Sequence, residues 1–303
     1  TLVRGEGVLV WDDKGRRYLD MLAGIAVNNT GHCHPAVVAA IREQAGTLIH
    51  TSNFYFNEPQ ARLCALLTQV SGLDRVFLTN SGLEAMELCV KIARKSGHNR
   101  GIENGRILAV DGGFHGRSLA AIALGKEKYQ QGFGPMPHGL GTLPFGDEDA
   151  LREAFAHGDV LAVAFETVQG EGGIRPQPRS YLALARELCD RHGALLIADE
   201  VQCGNGRTGT YFAIQSHGVR PDVIATAKGL GGGFPVGAVL MAQHAADVLT
   251  PGDHGTTYGG GPLACAAAEA AVSAILEQDL AGRARALGAW FMDHLRERIG
   301  GSP

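Results

Sequence analysis

The sequence predicts an α/β fold whose central sheet is mostly parallel. After residue 73, short apolar runs alternate with longer stretches in which apolar residues recur at helical spacing, and this alternation is typical of sheets built from strand–helix units. The apolar runs are continuous, as expected of strands that helices cover on both faces. A chain of 303 residues, 45% of them hydrophobic, can also bury a large core.

The predicted elements follow in a regular order. A hairpin comes first, with strands at 8–11 and 17–19 around a turn rich in Asp and Gly. The strands of the central sheet are predicted at 75–79, 106–110, 161–165, 194–198, 223–227 and 236–241. Helices are predicted at 84–95, 180–192, 262–276 and 280–299. In the first of these, Met86, Cys89, Val90 and Ala93 share one apolar face.

The composition of the chain limits the partners that it can be expected to bind and indicates its cellular compartment. A formal net charge of −4 gives no reason to expect nucleic acid or an anionic membrane as a partner. Six cysteines are scattered without a Cys-x-x-Cys pair, which favours a reducing cytoplasm and predicts no metal site. The chain begins without a methionine or a signal peptide, so we expect it to be part of a longer protein.

Lys228 stands where an apolar strand runs into a glycine-rich turn. Its neighbours Val223, Ile224, Ala225 and Ala227 would desolvate the ammonium group, which lowers the pKa and makes the neutral amine available as a nucleophile. This is the local chemistry of a lysine that forms a Schiff base. The alternative is a solvated lysine at an ordinary strand end.

Polar residues follow three other strands, and each has a plainer alternative. Asn80-Ser81-Gly82 opens a helix whose free N–H groups could bind a phosphate, or Ser81 or Asn80 could simply cap that helix. Phe114 and Arg117 lie among glycines, where they could stack on a planar ring and bind a carboxylate, or merely pack. Asp199 follows four apolar residues and needs a partner, such as a protonated ring nitrogen; the alternative is a carboxylate that caps a loop or faces a structural arginine such as Arg207.

The combination is more informative than any single residue. An electron-sink cofactor requires an amine for the imine, an acid for its ring nitrogen, an aromatic face and a phosphate cradle. In an open sheet of this kind, residues that follow the strands converge on a ligand site. The sequence therefore predicts a site at the carboxyl ends of the strands.

Six motifs resemble those of the class III aminotransferases, which have pyridoxal phosphate fold type I. They are Asn80-Ser81-Gly82-x-Glu84-Ala85, Phe114-His115-Gly116-Arg117, Gln169-Gly170-Glu171-Gly172-Gly173, Asp199-Glu200-Val201-Gln202-Cys203-Gly204-x-Gly206-Arg207-Thr208-Gly209, Ala227-Lys228-Gly229 and His254-Gly255-Thr256-Thr257-Tyr258-Gly259-Gly260. Within the family the motifs are most similar to acetylornithine aminotransferases. Ornithine, succinylornithine and 4-aminobutyrate aminotransferases share most of them.

The resemblance implies a large domain at 46–275, flanked by residues 1–45 and 276–303 of an incomplete small domain. It also implies a seven-stranded sheet and the cofactor pyridoxal 5′-phosphate. Lys228 would carry the cofactor, Asp199 would pair with its ring nitrogen and Phe114 would stack on its ring. The remaining cofactor contacts implied are Gln202 with the phenolic oxygen, and Ser81, Gly82, the Leu83 amide and the partner subunit's copy of Thr257 with the phosphate.

The resemblance further implies a homodimer and a set of substrate contacts. Arg117 would bind the substrate α-carboxylate, and Thr256 would reach in from the neighbouring subunit. Glu171 matches a glutamate that, in relatives acting on a terminal amine, switches between the two half-reactions. Tyr55 would line the pocket or pack beneath its entrance.

Three positions depart from the family pattern. Leu83 stands where threonine is usual, Met86 where asparagine is usual, and Thr167 where proline is usual. Leu83 keeps its backbone N–H but lacks a hydroxyl, which removes one hydrogen bond worth about 0.5–1.5 kcal/mol. We expect Met86 to pack in the core.

The implied reaction passes an amino group from N2-acetylornithine, or a close analogue, to 2-oxoglutarate as a step of arginine biosynthesis. Three alternatives remain: an aminomutase acting on glutamate semialdehyde, a truncated non-catalytic homologue, and a nicotinamide dehydrogenase. The last is disfavoured because no early strand carries a Gly-x-Gly-x-x-Gly turn.

Overall fold

The computed structural model describes residues 1–300 and divides them into twelve strands and ten helices. The strands are β1 (Leu2–Glu6), β2 (Leu9–Asp12), β3 (Arg17–Leu19), β4 (Arg75–Thr79), β5 (Arg106–Val110), β6 (Leu140–Leu143), β7 (Val160–Glu166), β8 (Val168–Gln169), β9 (Arg175–Pro176), β10 (Leu195–Asp199), β11 (Val223–Thr226) and β12 (Gly237–Met241). The helices are α1 (Ala23–Ala26), α2 (Pro35–Thr47), α3 (Glu58–Ser71), α4 (Gly82–Asn99), α5 (Leu119–Ala123), α6 (Glu148–Ala156), α7 (Arg179–His192), α8 (Gln243–Ala246), α9 (Pro262–Glu277) and α10 (Leu280–Ile299). Helix α1 is a single turn with positive φ angles.

Seven strands form the central sheet in the order β4-β12-β11-β10-β7-β5-β6. β12 runs antiparallel to both of its neighbours, β4 and β11, and the other adjacent pairs are parallel. All strands except β12 therefore point the same way. The carboxyl ends of β4, β5, β7, β10 and β11 meet at one edge, as the sequence predicts for the site.

Strand β10 shows why its apolar run is continuous. Leu196 and Ala198 pack into a core on one face of the sheet with residues of α3, α7 and α9, whereas Leu195 and Ile197 pack into a second core on the other face with residues of α4. Successive side chains of a strand point to opposite faces. Because both faces are covered, β10 is apolar at every position before Asp199, which ends the strand.

The structure confirms the α/β class and the seven-stranded, mostly parallel sheet. The six predicted strands correspond to β4, β5, β7, β10, β11 and β12, and their ends agree to within one residue. The hairpin is present as β2 and β3, joined by β1 to make a separate three-stranded sheet. The four predicted helices correspond to α4, α7, α9 and α10.

Two further sequence expectations are met in the core. Met86 is 2% exposed on the inner face of α4. All six cysteines are free, and four of them are buried. The predicted domain boundaries at 45 and 275 stay a prediction, and residues 301–303 of the last predicted segment lie outside the described residues. No helix in residues 1–300 is both long enough and apolar enough to cross a membrane.

Candidate active site

A cavity of about 510 Å³ lies at the carboxyl ends of the parallel strands. Most of the predicted site residues line it: Ser81, Gly82, Leu83, Phe114, Arg117, Glu171, Asp199, Gln202 and Lys228. These residues come from loops that follow different strands, so the topology of the sheet brings them together. The structure thus places these nine residues around one cavity, and their roles stay predictions.

Lys228 begins a short 3-10 turn directly after β11, and its φ of 46° lies in the left-handed region. This backbone is held in place by Asn205, whose side-chain amide donates to the Ala227 carbonyl and to Thr226 Oγ1, each at 3.0 Å. Burial lowers the pKa of Lys228 despite the opposing negative charges of Asp199, Glu166 and Glu171. The cavity therefore contains a partly desolvated amine with nucleophilic character.

Asp199 is buried at the end of β10 and is paired with His115. The Asp199 Oδ2 atom lies 2.7 Å from His115 Nδ1, and Oδ1 accepts a 3.1 Å hydrogen bond from the Val201 N–H. Burial alone would lower the pKa of His115, but the hydrogen bond and charge of Asp199 outweigh it and raise that pKa. Arg207, the alternative partner, instead donates to the Asn29 side chain. The hypothesis of a structural arginine for Asp199 is therefore wrong.

Glu166 is a second buried carboxylate beside Asp199, and the two residues are register partners on β7 and β10. It accepts hydrogen bonds from the Phe114 N–H at 2.8 Å and from the Gly170 N–H at 3.0 Å. Burial is the largest cause that raises the pKa of Glu166, and the negative charge of Asp199 raises it further. One side chain thus fixes both the loop that carries Phe114 and the loop that carries Glu171.

Helix α4 starts at the cavity with Ser81 as its N-cap. The Ser81 hydroxyl accepts a hydrogen bond from the Glu84 N–H at 3.2 Å, so the capping alternative is correct for this side chain. The N–H groups of a first helical turn have no intrahelical partners, and Gly82 and Leu83 line the cavity. A Cβ atom at Gly82 would lie 2.8 Å from Val201, so this cradle has no room for a larger residue.

Arg117 and Gln202 have side chains that no residue in the described range 1–300 binds through a hydrogen bond or ion pair. Arg117 is exposed at the cavity and lies over the ring of Phe114, 5.4 Å from its centroid. Gln202 packs against Gly170, where a Cβ atom would lie 1.3 Å from Gln202 Oε1. Both side chains therefore have donors available for a ligand.

The sequence model of the aminotransferase class-III family matches residues 1–299. The chain belongs to the class-III aminotransferases. It is 50% identical to the acetylornithine aminotransferase of Methanocaldococcus jannaschii, over 99% of this chain and 75% of that one. It is 49% identical to acetylornithine aminotransferase 1 of Bordetella pertussis, over 100% of this chain and 78% of that one.

Solved structures of aminotransferases share this fold. The ornithine aminotransferase of Toxoplasma gondii ME49 superimposes with a TM-score of 0.96 at 38% identity, covering 99% of this chain and 72% of that one. The acetylornithine aminotransferase of Elizabethkingia anophelis superimposes with a TM-score of 0.87 at 37% identity, covering 99% of this chain and 73% of that one. The fold prediction is thus confirmed by both the topology and the neighbours.

Pyridoxal 5′-phosphate is the cofactor of this aminotransferase family, and the cavity fits it. The site offers a partly desolvated amine at Lys228 and a buried carboxylate at Asp199. It also offers a helix start at Gly82 with no space for a Cβ atom. These groups match the three chemical parts of the cofactor, namely its aldehyde, its ring nitrogen and its phosphate.

Three predicted site residues lie away from this cavity. Thr256 and Thr257 line a second cavity of about 530 Å³, together with Phe54. Tyr55 is exposed and lines neither cavity. The aminotransferase chain by itself therefore does not bring these residues to Lys228. Thr256 still contacts one residue of the main cavity, because its hydroxyl accepts from the Asn80 side chain at 3.4 Å.

Sequence reasoning missed Glu166, Asn205 and the positioning role of His115 in this aminotransferase. Glu166 could have been found from the sequence, since it ends an apolar strand just as Asp199 does.

The structure also explains why threonine stands at position 167, where the family usually has proline. Its hydroxyl donates to the buried Glu200 carboxylate at 2.6 Å, a bond that a proline in that position could not make.

Proposed function

We propose that this aminotransferase moves the terminal amino group of N2-acetylornithine, or of a close analogue, to 2-oxoglutarate in arginine biosynthesis. The observation that carries the proposal is the identity of about half of all residues to acetylornithine aminotransferases over nearly the whole chain. The free guanidinium of Arg117 in the cavity supports a substrate that bears a carboxylate.

When bound, pyridoxal phosphate supplies an electron sink that lets a proton leave the substrate carbon next to nitrogen. Lys228 would hold the cofactor and then, once displaced, would move that proton with its Nζ atom, for which the lowered pKa suits it. Asp199 would keep the ring nitrogen protonated, with His115 fixing the orientation of the carboxylate. Gln202 would bind the phenolic oxygen, and Phe114 would cover the ring.

Different residues of the cavity would hold the cofactor phosphate and the substrate. Ser81, Gly82 and the Leu83 N–H would hold the phosphate at the start of α4. Arg117 would bind the substrate α-carboxylate through two parallel hydrogen bonds. Glu171, exposed at the cavity, would change partners between the two half-reactions.

We also propose a homodimer in which Thr257 and Thr256 complete the partner's site, with Tyr55 near its entrance. The second cavity lies beside a group of strongly exposed apolar side chains: Phe54, Tyr55, Phe56 and Tyr258. A patch of this kind is typical of a protein interface. Size-exclusion chromatography with light scattering should give twice the chain mass, and Phe56→Asp should shift the protein toward the monomer. A wild-type monomer that is fully active would contradict the shared site.

Ornithine is a second candidate donor, because the ornithine aminotransferase of Toxoplasma gondii superimposes with a TM-score of 0.96. A donor panel assayed with 2-oxoglutarate tests both: acetylornithine, ornithine, succinylornithine and 4-aminobutyrate. We expect the highest kcat/KM for acetylornithine and a strict requirement for 2-oxoglutarate. A preference for ornithine would refute the proposed donor, and turnover without 2-oxoglutarate would favour an aminomutase.

The cytoplasm is the proposed compartment, which the six free cysteines support. The burial of four of them indicates that these four act as small apolar side chains rather than as disulfide partners. Fractionation of cells that express a tagged enzyme would test this assignment.

A further inference from the structure

Arg117 is held by aromatic rings rather than by a carboxylate. Its guanidinium lies 4.0 Å from the ring centroid of Tyr129 and 5.4 Å from that of Phe114. Within residues 1–300, no acidic side chain forms an ion pair with it. Of these two rings, that of Tyr129 is the nearer to Arg117, the side chain that we assign to the substrate carboxylate.

Tyr129 is itself fixed on several sides. Its ring meets the ring of Phe114 edge to face, with centroids 6.0 Å apart and an interplanar angle of 87°. It ends a 3-10 turn, Glu127–Tyr129, that is anchored at both flanks. Lys126 Nζ donates to the Glu171 carbonyl at 2.7 Å, and Gln130 Nε2 donates to the Ile122 carbonyl at 3.1 Å. The ring therefore has a defined position relative to both Phe114 and the Glu171 loop.

Stacking suits an arginine that must bind a carboxylate. A guanidinium attracts an aromatic ring through its flat face, whereas its N–H donors point outward along its edge. A stacked arginine therefore loses conformational freedom before the ligand arrives and keeps its donors free. In this site, a ring under Arg117 would orient the donors without competing for them.

We propose that Tyr129 is a positioning residue that orients Arg117 toward the substrate α-carboxylate. The inference rests on the proposed function, because it requires a substrate with that carboxylate. The aromatic ring is the effective part of the side chain, and the hydroxyl is dispensable. The ring acts only through Arg117, so a ligand without a carboxylate does not gain from it.

The test compares Tyr129→Leu, which removes the ring, with Tyr129→Phe, which keeps it, in the holoenzyme. Calorimetric titration with glutarate, an unreactive dicarboxylate, measures binding without turnover. We expect Kd to rise about threefold to thirtyfold in Tyr129→Leu and to stay at the wild-type value in Tyr129→Phe. In an Arg117→Ala background, Tyr129→Leu should weaken glutarate binding no further.

A matched pair of amines provides the second readout. N-acetylputrescine is acetylornithine without its α-carboxylate, so its kcat/KM should be the same in wild type and in Tyr129→Leu. The KM for acetylornithine should rise with little change in kcat. Equal losses on both amines, a loss in Tyr129→Phe as large as in Tyr129→Leu, or additive losses with Arg117→Ala would each overturn the proposal.

The proposed function and the proposed role of Tyr129 fail in different ways. If acetylornithine is not a donor, the glutarate titrations still report on Tyr129 and Arg117. If acetylornithine is the donor and Tyr129→Leu leaves both glutarate binding and KM unchanged, the proposed function stands and the role of Tyr129 is refuted.

Discussion

Replacement of His115 tests how the buried Asp199 carboxylate is stabilised. The two side chains are 0% and 3% exposed and 2.7 Å apart. Removing one partner of a buried pair leaves an uncompensated charge and costs about 3–5 kcal/mol. His115→Leu should therefore lower the unfolding midpoint of the cofactor-free enzyme by roughly 5–8 °C, since the unfolding entropy scales with chain length. Scanning calorimetry measures this directly.

His115→Asn is the matched control, because its amide can donate to Asp199 without carrying a charge. The pKa of His115 is raised in the folded protein, chiefly by Asp199 once the opposing effect of burial is overcome. The stability gained from the charged imidazole is therefore fully present below the unfolded pKa of about 6.5. It is lost as pH rises through the higher folded pKa. The wild-type advantage over His115→Asn should shrink from pH 6 to pH 9.

Two outcomes would refute this reasoning. Equal stability of wild type and His115→Leu across the pH range would show that Asp199 does not need the imidazole. A wild-type advantage over His115→Asn that grows with pH would show that the neutral imidazole is the stabilising form. The lowered pKa of Lys228 also makes the stability of the protein depend on pH. This contribution is common to wild type and His115→Asn, so it cancels when the two are compared.

Other variants test the remaining parts of the site. Lys228→Ala should keep its circular dichroism spectrum but yield no cofactor-labelled peptide after borohydride reduction, and normal turnover would refute its role. Asp199→Asn should retain bound cofactor but lose at least about a hundredfold in kcat, so near-normal kinetics would count against the ring-nitrogen contact. Gly170→Ala should displace Gln202, because the new Cβ would lie 1.3 Å from its Oε1, and should weaken cofactor binding about twofold to tenfold. Gly141→Ala, whose nearest atom would be 3.7 Å away, is the control and should leave that affinity unchanged.

The parts of the fold that could be predicted from sequence are those in which local pattern and tertiary environment agree. β10 is apolar from Leu195 to Ala198 because both faces of the sheet are covered, and its sequence shows this directly. Lys228 and Asp199 were recognisable because each ends such a strand. β6 was missed because Leu140–Leu143 is short, contains Gly141 and lies at the edge of the sheet.

The site residues that sequence did not reveal depend on contacts between distant segments. Asn205 supports the backbone before Lys228 from 22 residues away, and no periodicity relates the two. Tyr129 lies in an irregular segment, and its contact with Arg117 exists only because the chain folds back. The roles proposed for Thr256 and Thr257 depend on a partner subunit. Such contacts follow from tertiary or quaternary packing rather than from local pattern.

The adjacent carboxylates Asp199 and Glu200 show how the structure separates a ligand group from a structural one. Both are buried, and both follow the same apolar run in the sequence. An ionised carboxylate offers about four acceptor sites. Glu200 accepts from four donors: Thr167 Oγ1, the Ala213 N–H, the Ile214 N–H and Cys203 Sγ. Within residues 1–300, the Asp199 carboxylate accepts from two donors, His115 and the Val201 N–H. Glu200 is therefore saturated by the protein, whereas Asp199, which lines the cavity, keeps acceptor capacity for a protonated ring nitrogen.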